Sequence, residues 1–457
     1  MINLPGAPKR IIDTLEAVGH RAYAVGGCVR DALRGAVPGD WDVASSAKPE
    51  EVRQALRGLR LIETGLRHGT LTAIVDGEAI EITSFRLDGA YTDHRRPDTV
   101  SFTDDLCADL SRRDFTVNAM AYHPEHGLID PFNGEADLRA GILRCVGEPE
   151  KRFGEDALRI LRALRFASVM GFTMEAKTAD AILEQRGLLR HVAAERIQKE
   201  FTKLLCGQEL RRVLMEYRKV VFTLFPPLEP MDGFGQHNPW HCYDVWEHCC
   251  AAAEAIRPAP ALRYAALLHD AGKPRVFTRG PDGKGHFYGH AVVSEGIAEE
   301  LLKGLRCPKR LIAHVLQLIR RHELRLLEQA SEPKGIPPAA LRKLLGEMGE
   351  ESLLDLLELM RADTAAQAPD KRYRLDAYEP LCAQVREMSG SKACTRLSQL
   401  AVNGNDLMAV GLRGPGLGKA LDRLLEEVLE GRLENEREAL IQYALRYGDY
   451  PGRGSKF

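Results

Sequence analysis

Two acidic residues follow a glycine turn in the segment GGCVRDALRGAVPGDWDV, residues 26–43. On a β-strand the side chains at positions i and i+2 point to the same side, so Asp40 and Asp42 are predicted to present their carboxylates together. Two neighbouring carboxylates repel each other unless a cation lies between them, and Mg²⁺ with oxygen ligands is the common solution. Glu81 can supply a third ligand from a neighbouring strand. The pattern predicts a magnesium site with these three carboxylates as the catalytic residues.

The residues before the acidic pair suit a phosphate group. Gly26 and Gly27 allow backbone amides to approach a triphosphate, and Arg30 can clamp it with its charge. A glycine turn, an arginine and then two aspartates in this order predict a bound nucleoside triphosphate beside the metal.

These side chains need a sheet to position them. The segment LTAIVDGEAIEITSF alternates apolar and polar residues around the Asp76–Gly77 pair, which predicts a β-hairpin. From about Phe153 the apolar period becomes 3.6, as in EDALRILRALRFASVM, and predicts helices. Proline- and glycine-rich segments place domain boundaries near residues 145, 225 and 375.

Composition bounds the class of protein. The chain has 457 residues, enough for two to four domains, and its net charge of −2 requires any polyanion site to be a local basic patch. The ten cysteines form no C-x-x-C pair, which argues against a zinc ribbon or a disulfide scaffold and fits a reducing cytoplasm. The N-terminus lacks an apolar signal core, and no apolar run is long enough to span a bilayer, so we expect a cytoplasmic protein without membrane contact.

Several segments together resemble a known family. VGGCVRD, DWDV, SRRDFTVNAMAY, LIDPFNGEADLRAGILRCVGEPEKRF, EDALRILRALRF and ERIQKEF are similar to the successive motifs of the class II tRNA nucleotidyltransferases, which include bacterial poly(A) polymerases. The resemblance runs from residue 20 to 205. It implies an α/β nucleotidyltransferase head of the polymerase-beta-like type, followed by an all-α neck, a helical body and a helical tail.

The expected domains follow from the boundaries and the resemblance. They are a nucleotidyltransferase head at residues 1–145, a helical neck with a base-recognition helix at 146–225, an HD-type helical body at 226–375 and a helical tRNA-binding tail at 376–457.

The resemblance implies attack of an RNA 3′ hydroxyl on the α-phosphate of a nucleoside triphosphate, with release of pyrophosphate. Two Mg²⁺ ions held by Asp40 and Asp42 would neutralise charge on the attacking and leaving oxygens. Asp114, in SRRDFTVN, matches a family position beside the sugar. Arg113 is then expected to contact ribose or phosphate.

The segment EDALRILRALRF carries the expected base recognition. Asp156, Arg159, Arg162 and Arg165 recur every three residues, which on a single helix places them on one stripe. A carboxylate accepts from an exocyclic amine and a guanidinium donates to ring acceptors, so the two can imitate a Watson–Crick partner. The resemblance gives this role to Asp156 and Arg159, with Arg162 and Arg165 as triphosphate contacts.

The segment FRLDGAYTDHRRPDTVSF resembles the flexible loop that accompanies adenosine addition in this family. Its presence favours addition of the full CCA end or of its terminal A over addition of two cytidines.

A second chemistry is predicted in the body. YDVWEHCC, ALLHDAGKP and ELMRADTAAQ place His248, His269, Asp270 and Asp363 in an order that resembles the HD metal-dependent phosphohydrolases. His290 and His322 can complete a second metal position. Imidazole and carboxylate ligands accommodate Mn, Ni, Fe or Mg, and a divalent ion there can activate water to hydrolyse a phosphoester.

These predictions combine into an enzyme that adds CMP, CMP and AMP, or the terminal AMP alone, to tRNA 3′ ends, with ATP, CTP and tRNA as partners. Three alternatives stay open: a bacterial poly(A) polymerase with the same catalytic motifs, an HD phosphohydrolase with an inert head, and an RNA-binding protein without catalysis.

Overall fold

A mixed β-sheet forms in the first third of the chain, where apolar residues alternate. The computed structural model describes residues 2–65, 69–89, 99–324, 338–390, 394–414 and 416–447. Its strands are β1 (Ala22–Val25), β2 (Asp42–Ser45), β3 (Arg60–Gly65), β4 (Thr70–Val75), β5 (Glu78–Ser84), β6 (Arg86–Asp88), β7 (Val100–Phe102), β8 (Ala121–His123), β9 (Gly127–Ile129), β10 (Ile142–Leu143), β11 (Thr173–Met174), β12 (Thr278–Arg279) and β13 (Gly285–His286).

Seven of these strands make one sheet in the order β3-β4-β5-β2-β1-β8-β9. Among the described strands of this sheet, only β2 and β5 pair in parallel, and their register sets Asp42 opposite Glu81. The predicted hairpin is confirmed as β4 and β5, which pair antiparallel around Asp76 and Gly77 with φ of 52° and 87°. A turn with two positive φ angles matches the twist of the strands that it joins.

Helices make up most of the remaining elements. They are α1 (Gly6–Glu16), α2 (Gly27–Leu33), α3 (Pro49–Ala55), α4 (Leu106–Ser111), α5 (Gly134–Ala140), α6 (Pro149–Glu155), α7 (Leu158–Met170), α8 (Ala176–Gln185), α9 (Ala194–Leu205), α10 (Leu210–Glu216), α11 (Arg218–Leu224), α12 (Val245–Ala255), α13 (Pro260–Leu268), α14 (Lys273–Val276), α15 (His290–Gly304), α16 (Lys309–Arg321), α17 (Pro338–Met348), α18 (Glu350–Ala366), α19 (Tyr378–Gly390), α20 (Gly404–Ala409), α21 (Gly416–Leu429) and α22 (Arg437–Tyr447). Short 3₁₀ segments lie at Thr116–Asn118, Arg186–His191, Pro226–Met231, Pro369–Ala377 and Leu397–Gln399.

The chain divides into two units, one of residues 1–229 with 304–307 and one of residues 230–303 with 308–457. The first unit holds the large sheet and helices α1 to α11, and the second is helical apart from β12 and β13. An α/β head followed by helical regions is therefore confirmed. The domain boundaries near residues 145, 225 and 375 stay predictions.

Two expectations about local structure are wrong. Asp40 lies in a bend before β2, which begins at Asp42, so the two carboxylates do not share a strand. The segment EDALRILRALRF is not one helix either. Asp156 has extended backbone (φ −137°, ψ 102°) between α6 and α7, and its carboxylate accepts a hydrogen bond from the Leu158 N–H at 3.1 Å. An aspartate that bonds to backbone two residues on favours a turn over a continuous helix.

A close approach of backbone holds α7 against the end of α9. A Cβ on Gly207 would lie 2.1 Å from Ser168 Oγ and 2.5 Å from the Ser168 carbonyl carbon. The Ser168 hydroxyl donates to the Leu204 carbonyl at 2.8 Å, so this serine cannot turn away without losing that bond. Only glycine fits this contact.

Gly207→Ala should therefore destabilise the first unit, because overpacking of a close contact costs about 1–3 kcal/mol. Gly187→Ala is the matched control, since a Cβ there meets nothing within 4 Å. Urea unfolding of both variants checks this expectation. Equal midpoints for Gly207→Ala and the wild type would contradict it.

Candidate functional site

A cavity of about 330 Å³ in the second unit and one of about 630 Å³ in the first contain most of the predicted site residues. We call them the body cavity and the head cavity. Eight of the eleven residues predicted for the head site line the head cavity: Gly27, Arg30, Asp40, Asp42, Arg113, Asp114, Arg162 and Arg165. The three others, Glu81, Asp156 and Arg159, are described by the structure but do not line it.

Asp40 and Asp42 form what we call the acidic wall of the head cavity, and its negative charge is only partly compensated. Burial raises the pKa of Asp42 to about 6, and the negative charges of Glu81 and Asp40 add to this effect against the pull of Arg113. Glu81 lies opposite Asp42 on β5, the neighbouring strand, which pairs in parallel with β2, and its side chain is exposed. Its role as a third metal ligand stays a prediction. A carboxyl with this pKa is one that a cation would stabilise in its charged form.

A further carboxylate of the head cavity, Asp114, has its charge compensated by neighbouring side chains. Asp114 accepts a hydrogen bond from Arg162 Nη2 at 2.6 Å and one from the Asn118 amide at 3.0 Å. Although burial acts to raise it, these partners hold the pKa of Asp114 well below its usual range. Asn118 in turn accepts from Arg30 Nη1 at 2.5 Å, so one chain of polar contacts joins α2 of the head to α7.

Two further arginines, Arg113 and Arg165, line the head cavity and, with Arg30 and Arg162, form what we call its basic wall. Arg165 lies 3.1 Å from Glu200 on α9, and Arg113 lies 3.9 Å from Asp109. Burial lowers the pKa of the Arg113 guanidinium against the effect of Asp109.

The two base-recognition residues lie apart from this cavity lining and have protein partners. Asp156 receives both Nη atoms of Arg196, at 3.2 and 2.8 Å. Arg159 donates to Glu155 Oε2 at 2.7 Å, and to the Arg152 and Arg112 carbonyls at 3.0 and 2.9 Å. The prediction that these four residues form one stripe on a helix is therefore wrong, because Asp156 precedes α7. Of the four, only Arg162 and Arg165 line the head cavity.

Sequence reasoning missed several residues of the head cavity. Asn118, Phe166, Val169, Met170, Lys203 and Cys206 also line it. Phe166 and Val169 lie four residues after Arg162 and Arg165, on the same face of α7, which was the available signal. Lys203 and Cys206 come from α9 and its end, so only the tertiary fold brings them to this wall.

All six residues predicted for the HD site are brought together in the second unit. His248 lies on α12, His269 and Asp270 follow α13, His290 begins α15, His322 follows α16 and Asp363 lies on α18. Asp270 has its two oxygens on two sides of the cluster. Oδ2 lies 3.5 Å from His248 Nε2 and 3.2 Å from His269 Nε2, whereas Oδ1 lies 2.9 Å from His290 Nε2 and 3.6 Å from His322 Nε2.

The four imidazoles of this cluster share one hydrogen-bonding pattern. Each Nδ1 lies within hydrogen-bonding distance of a backbone carbonyl, at 3.4 Å for His248, 2.8 Å for His269, 2.9 Å for His290 and 2.6 Å for His322. A carbonyl that accepts from Nδ1–H leaves the Nε2 lone pair free for a metal. The Nε2 atoms of His248 and His269 are buried and make no hydrogen bond with any described residue, although carboxylate oxygens lie close to them.

The body cavity also contains two residues that the prediction missed. His241 Nδ1 lies 2.8 Å from Asn238 Oδ1, and burial together with the charge of Lys273 lowers the pKa of His241 to about 2. Lys273 Nζ lies 2.5 Å from Asp270 Oδ2 and donates to Gln236 Oε1 at 2.7 Å. Its position three residues after Asp270, one helical turn on, was a usable signal.

The predicted adenosine-addition loop is only partly described. Its flanks, β6 and β7, pair antiparallel from Arg86–Phe102 to Asp88–Val100. Residues 90–98 between them lie outside the described residues.

Three family models match the chain. One is described as the poly A polymerase head domain and matches residues 22–144, one as a probable RNA and SrmB-binding site of polymerase A and matches residues 171–229, and one as a putative tRNA nucleotidyltransferase domain 2 and matches residues 289–444.

Whole proteins are similar over nearly the full length. A CCA-adding enzyme of Lactiplantibacillus plantarum is 32% identical over 445 residues, 97% of this chain and 96% of that protein. A CCA-adding enzyme of Geobacillus stearothermophilus is 33% identical over 439 residues, 95% of each chain. Among solved structures, a crystal structure of the Bacillus stearothermophilus CCA-adding enzyme in complex with CTP has a TM-score of 0.69 and 31% identity, with 96% of each chain covered.

The fold of the head and its family match define a nucleotidyltransferase. The chain belongs to the family of the CCA-adding enzymes. No helix among the described residues is long and apolar enough to cross a membrane.

The raised pKa of Asp42 predicts a pH-dependent stability. The folded state holds the proton up to about pH 6 and the unfolded chain releases it near its ordinary pKa of 3.8, so this group favours folding below about pH 4 and its contribution is lost as the pH rises through 6. Two pKa units correspond to at most about 3 kcal/mol. In EDTA, Asp42→Asn should unfold at a higher temperature than the wild type at pH 7, with the difference shrinking towards pH 4.

Magnesium should stabilise the wild type at pH 7 and leave Asp42→Asn unchanged. Asp13→Asn, an exposed carboxylate paired with Lys9, is the control and should behave as the wild type. Calorimetric melting temperatures across pH, with and without Mg²⁺, check both the pH dependence and the Mg²⁺ dependence of stability. Parallel curves for Asp42→Asn and the wild type would contradict the charge repulsion inferred at this position.

Proposed function

We propose that the protein completes the tRNA 3′ end by adding CMP, CMP and AMP, or the terminal AMP, from CTP and ATP with release of pyrophosphate. The observation that supports this best is the head cavity, whose lining combines the carboxylates of Asp40 and Asp42 with the guanidiniums of Arg162 and Arg165. An acidic wall that favours a cation and a basic wall that favours phosphates are the two halves of a nucleotidyl transfer site.

The acidic wall fits magnesium. Asp40 and Asp42 offer oxygen ligands, which Mg²⁺ prefers, and the pKa of Asp42 is raised by burial and by the charges of Glu81 and Asp40, a cost of ionisation that a cation would relieve. Ions held there would lower the pKa of the attacking 3′ hydroxyl and neutralise charge on the leaving pyrophosphate. Glu81, opposite Asp42 in the sheet, is a third carboxylate for this site.

The chain's own residues orient the nucleotide. The buried pair of Asp114 and Arg162 is rigid because both charges are satisfied, so Arg162 presents its guanidinium to the cavity in a fixed place. Gly26, with φ of 81°, is the N-cap residue of α2, and a Cβ there would lie 2.5 Å from Arg113 Nη1. The absence of a side chain at Gly26 therefore leaves room for the Arg113 guanidinium in the head cavity, where the phosphates would bind.

Asp156 and Arg159 retain capacity for a base. A carboxylate offers about four acceptor positions and a guanidinium five donors. Asp156 uses three acceptor positions, two for Arg196 and one for Leu158, and Arg159 uses three donors. One acceptor beside one donor is the pattern that reads both cytosine and adenine, each of which carries an exocyclic amine next to an acceptor.

Incorporation assays test this function. Purified protein with Mg²⁺ receives tRNA transcripts that lack CCA, end in C, end in CC or end in CCA, with CTP and ATP separately and together. We expect addition that stops after the terminal A, and Asp42→Asn should lose at least about 100-fold in kcat, as expected when developing charge loses its stabilisation. Asp13→Asn is the matched control.

Two outcomes would overturn the proposal. A long adenosine ladder on transcripts ending in CC would indicate a poly(A) polymerase, and undiminished transfer by Asp42→Asn would remove the metal role of the acidic wall.

A second activity, hydrolysis of phosphoesters, is favoured by the geometry of the body cavity. Four imidazoles turn Nε2 towards Asp270 and Asp363, and the carboxylate of Asp270 faces two groups of ligands. Although burial acts to lower it, Asp270 and Glu323 raise the pKa of His290 to about 9, so this side of the cluster favours a positive charge. A divalent ion, Mn, Ni, Fe or Mg, would activate water there.

Metal content and hydrolysis test the second activity together. After loading with Ni²⁺ or Mn²⁺ and dialysis, the wild type should retain metal and cleave a chromogenic phosphodiester, whereas His269→Ala should lose most of both. His20→Ala, in the head, is the control. Metal retention and hydrolysis by His269→Ala equal to those of the wild type would show that the cluster only packs the body.

A further inference from the structure

Three guanidinium groups surround one aromatic ring at the head cavity. The ring of Phe166, on α7, has the Cζ atoms of Arg165, Arg30 and Arg162 at 4.2, 5.2 and 5.7 Å from its centroid. Phe166 is 4% exposed and lines the same cavity as the three arginines. A cation within about 6 Å of an aromatic centroid is attracted by the negative face of the ring.

The arginines come from two separate elements, and each has its own acidic anchor. Arg30, on α2, pairs with Asp31 at 2.8 Å, Arg162 with Asp114 at 2.6 Å and Arg165 with Glu200 at 3.1 Å. Burial lowers the pKa of Arg165, and the charges of Arg162 and Arg30 lower it further against Glu200. The three cations therefore repel one another where they meet.

The Phe166 ring lies within 6 Å of all three guanidiniums. Arg162 and Arg165 also share Glu200, at 3.9 and 3.1 Å, and Arg30 is linked to Arg162 through Asn118 and Asp114, but none of these acidic partners pairs with all three arginines. An aliphatic side chain of similar size would fill the same space and still contact Phe115, whose ring centroid lies 5.7 Å away, but it would offer no negative face.

We infer that Phe166 is a positioning residue, which gathers the guanidiniums of Arg30, Arg162 and Arg165 into a cradle for the triphosphate of the incoming nucleotide and for the pyrophosphate that leaves. The inference rests on the proposed nucleotidyl transfer in the head cavity. Three planar donors held around a ring meet the several oxygens of a polyphosphate, which carries more charge than any one of them can neutralise.

Replacement of the ring separates this role from core packing. Phe166→Leu keeps an apolar side chain and removes the aromatic face, whereas Phe166→Tyr keeps the ring. For Phe166→Leu we expect the KM for CTP and ATP and the inhibition constant of pyrophosphate to rise about tenfold, the size expected for lost cation–π contacts. The KM for tRNA should change by less than about twofold, and Phe166→Tyr should restore the wild-type values.

Phe85→Leu is the matched control, a buried phenylalanine of the head whose ring stacks on Tyr23. It should leave the three nucleotide constants unchanged. Equal constants for Phe166→Leu and the wild type, an equal rise in the KM for tRNA, or a Phe166→Tyr variant as weak as Phe166→Leu would each overturn the positioning role.

Calorimetric binding of pyrophosphate alone keeps the two proposals apart. If the wild type adds no nucleotide to tRNA, the proposed function fails, while weaker pyrophosphate binding by Phe166→Leu than by the wild type still supports the cradle. If the wild type is active and binds pyrophosphate no better than Phe166→Leu, the cradle alone is wrong.

Discussion

The unequal compensation of two carboxylates, the buried Asp114 and the half-buried Asp42, organises the head of this protein. Asp114 is fully satisfied by Arg162 and Asn118, and its pKa lies well below the usual range. The pKa of Asp42, in the same cavity, is raised to about 6, because burial and the negative charges of Glu81 and Asp40 outweigh the pull of Arg113. Cationic side chains thus compensate Asp114 more fully than Asp42. Asp114 links α7 to the segment before β8, and we propose that a cation from solution compensates Asp42.

The second unit differs, because both carboxylates of its cluster are compensated: although burial acts to raise them, nearby imidazoles, with Lys273 at Asp270, hold the pKa values of Asp270 and Asp363 below their usual range. There the carboxylates of Asp270 and Asp363 face imidazole nitrogens whose opposite Nδ1 atoms lie on backbone carbonyls. A carbonyl acceptor on one side of an imidazole fixes which nitrogen can bind a metal. Oxygen ligands alone in the head favour magnesium, and mixed nitrogen and oxygen ligands in the body favour transition metals as well.

Some features of this structure could be predicted from the sequence and others could not. Short-range patterns work: the Asp76–Gly77 turn yields the hairpin of β4 and β5, and the wide spacing of His248, His269 and Asp363 yields residues that meet in space. Periodicity fails at Asp156, because a bond from its carboxylate to the Leu158 N–H competes with the helix, and no count of residues reveals that competition. Contacts between distant segments, such as Arg30 on Phe166 or His241 beside Lys273, depend on the packing of whole elements and could not be predicted from one chain.

The central claim is that the charge of Asp42 is costly in the free protein and is relieved by a divalent cation. Carbon-13 spectra of side-chain carboxyls, with the Asp42 resonance assigned by its loss in Asp42→Asn, measure its titration directly. We predict a pKa near 6 in EDTA and a clear downward shift in millimolar Mg²⁺. A titration near the ordinary aspartate value that does not respond to Mg²⁺ would contradict the account of the acidic wall.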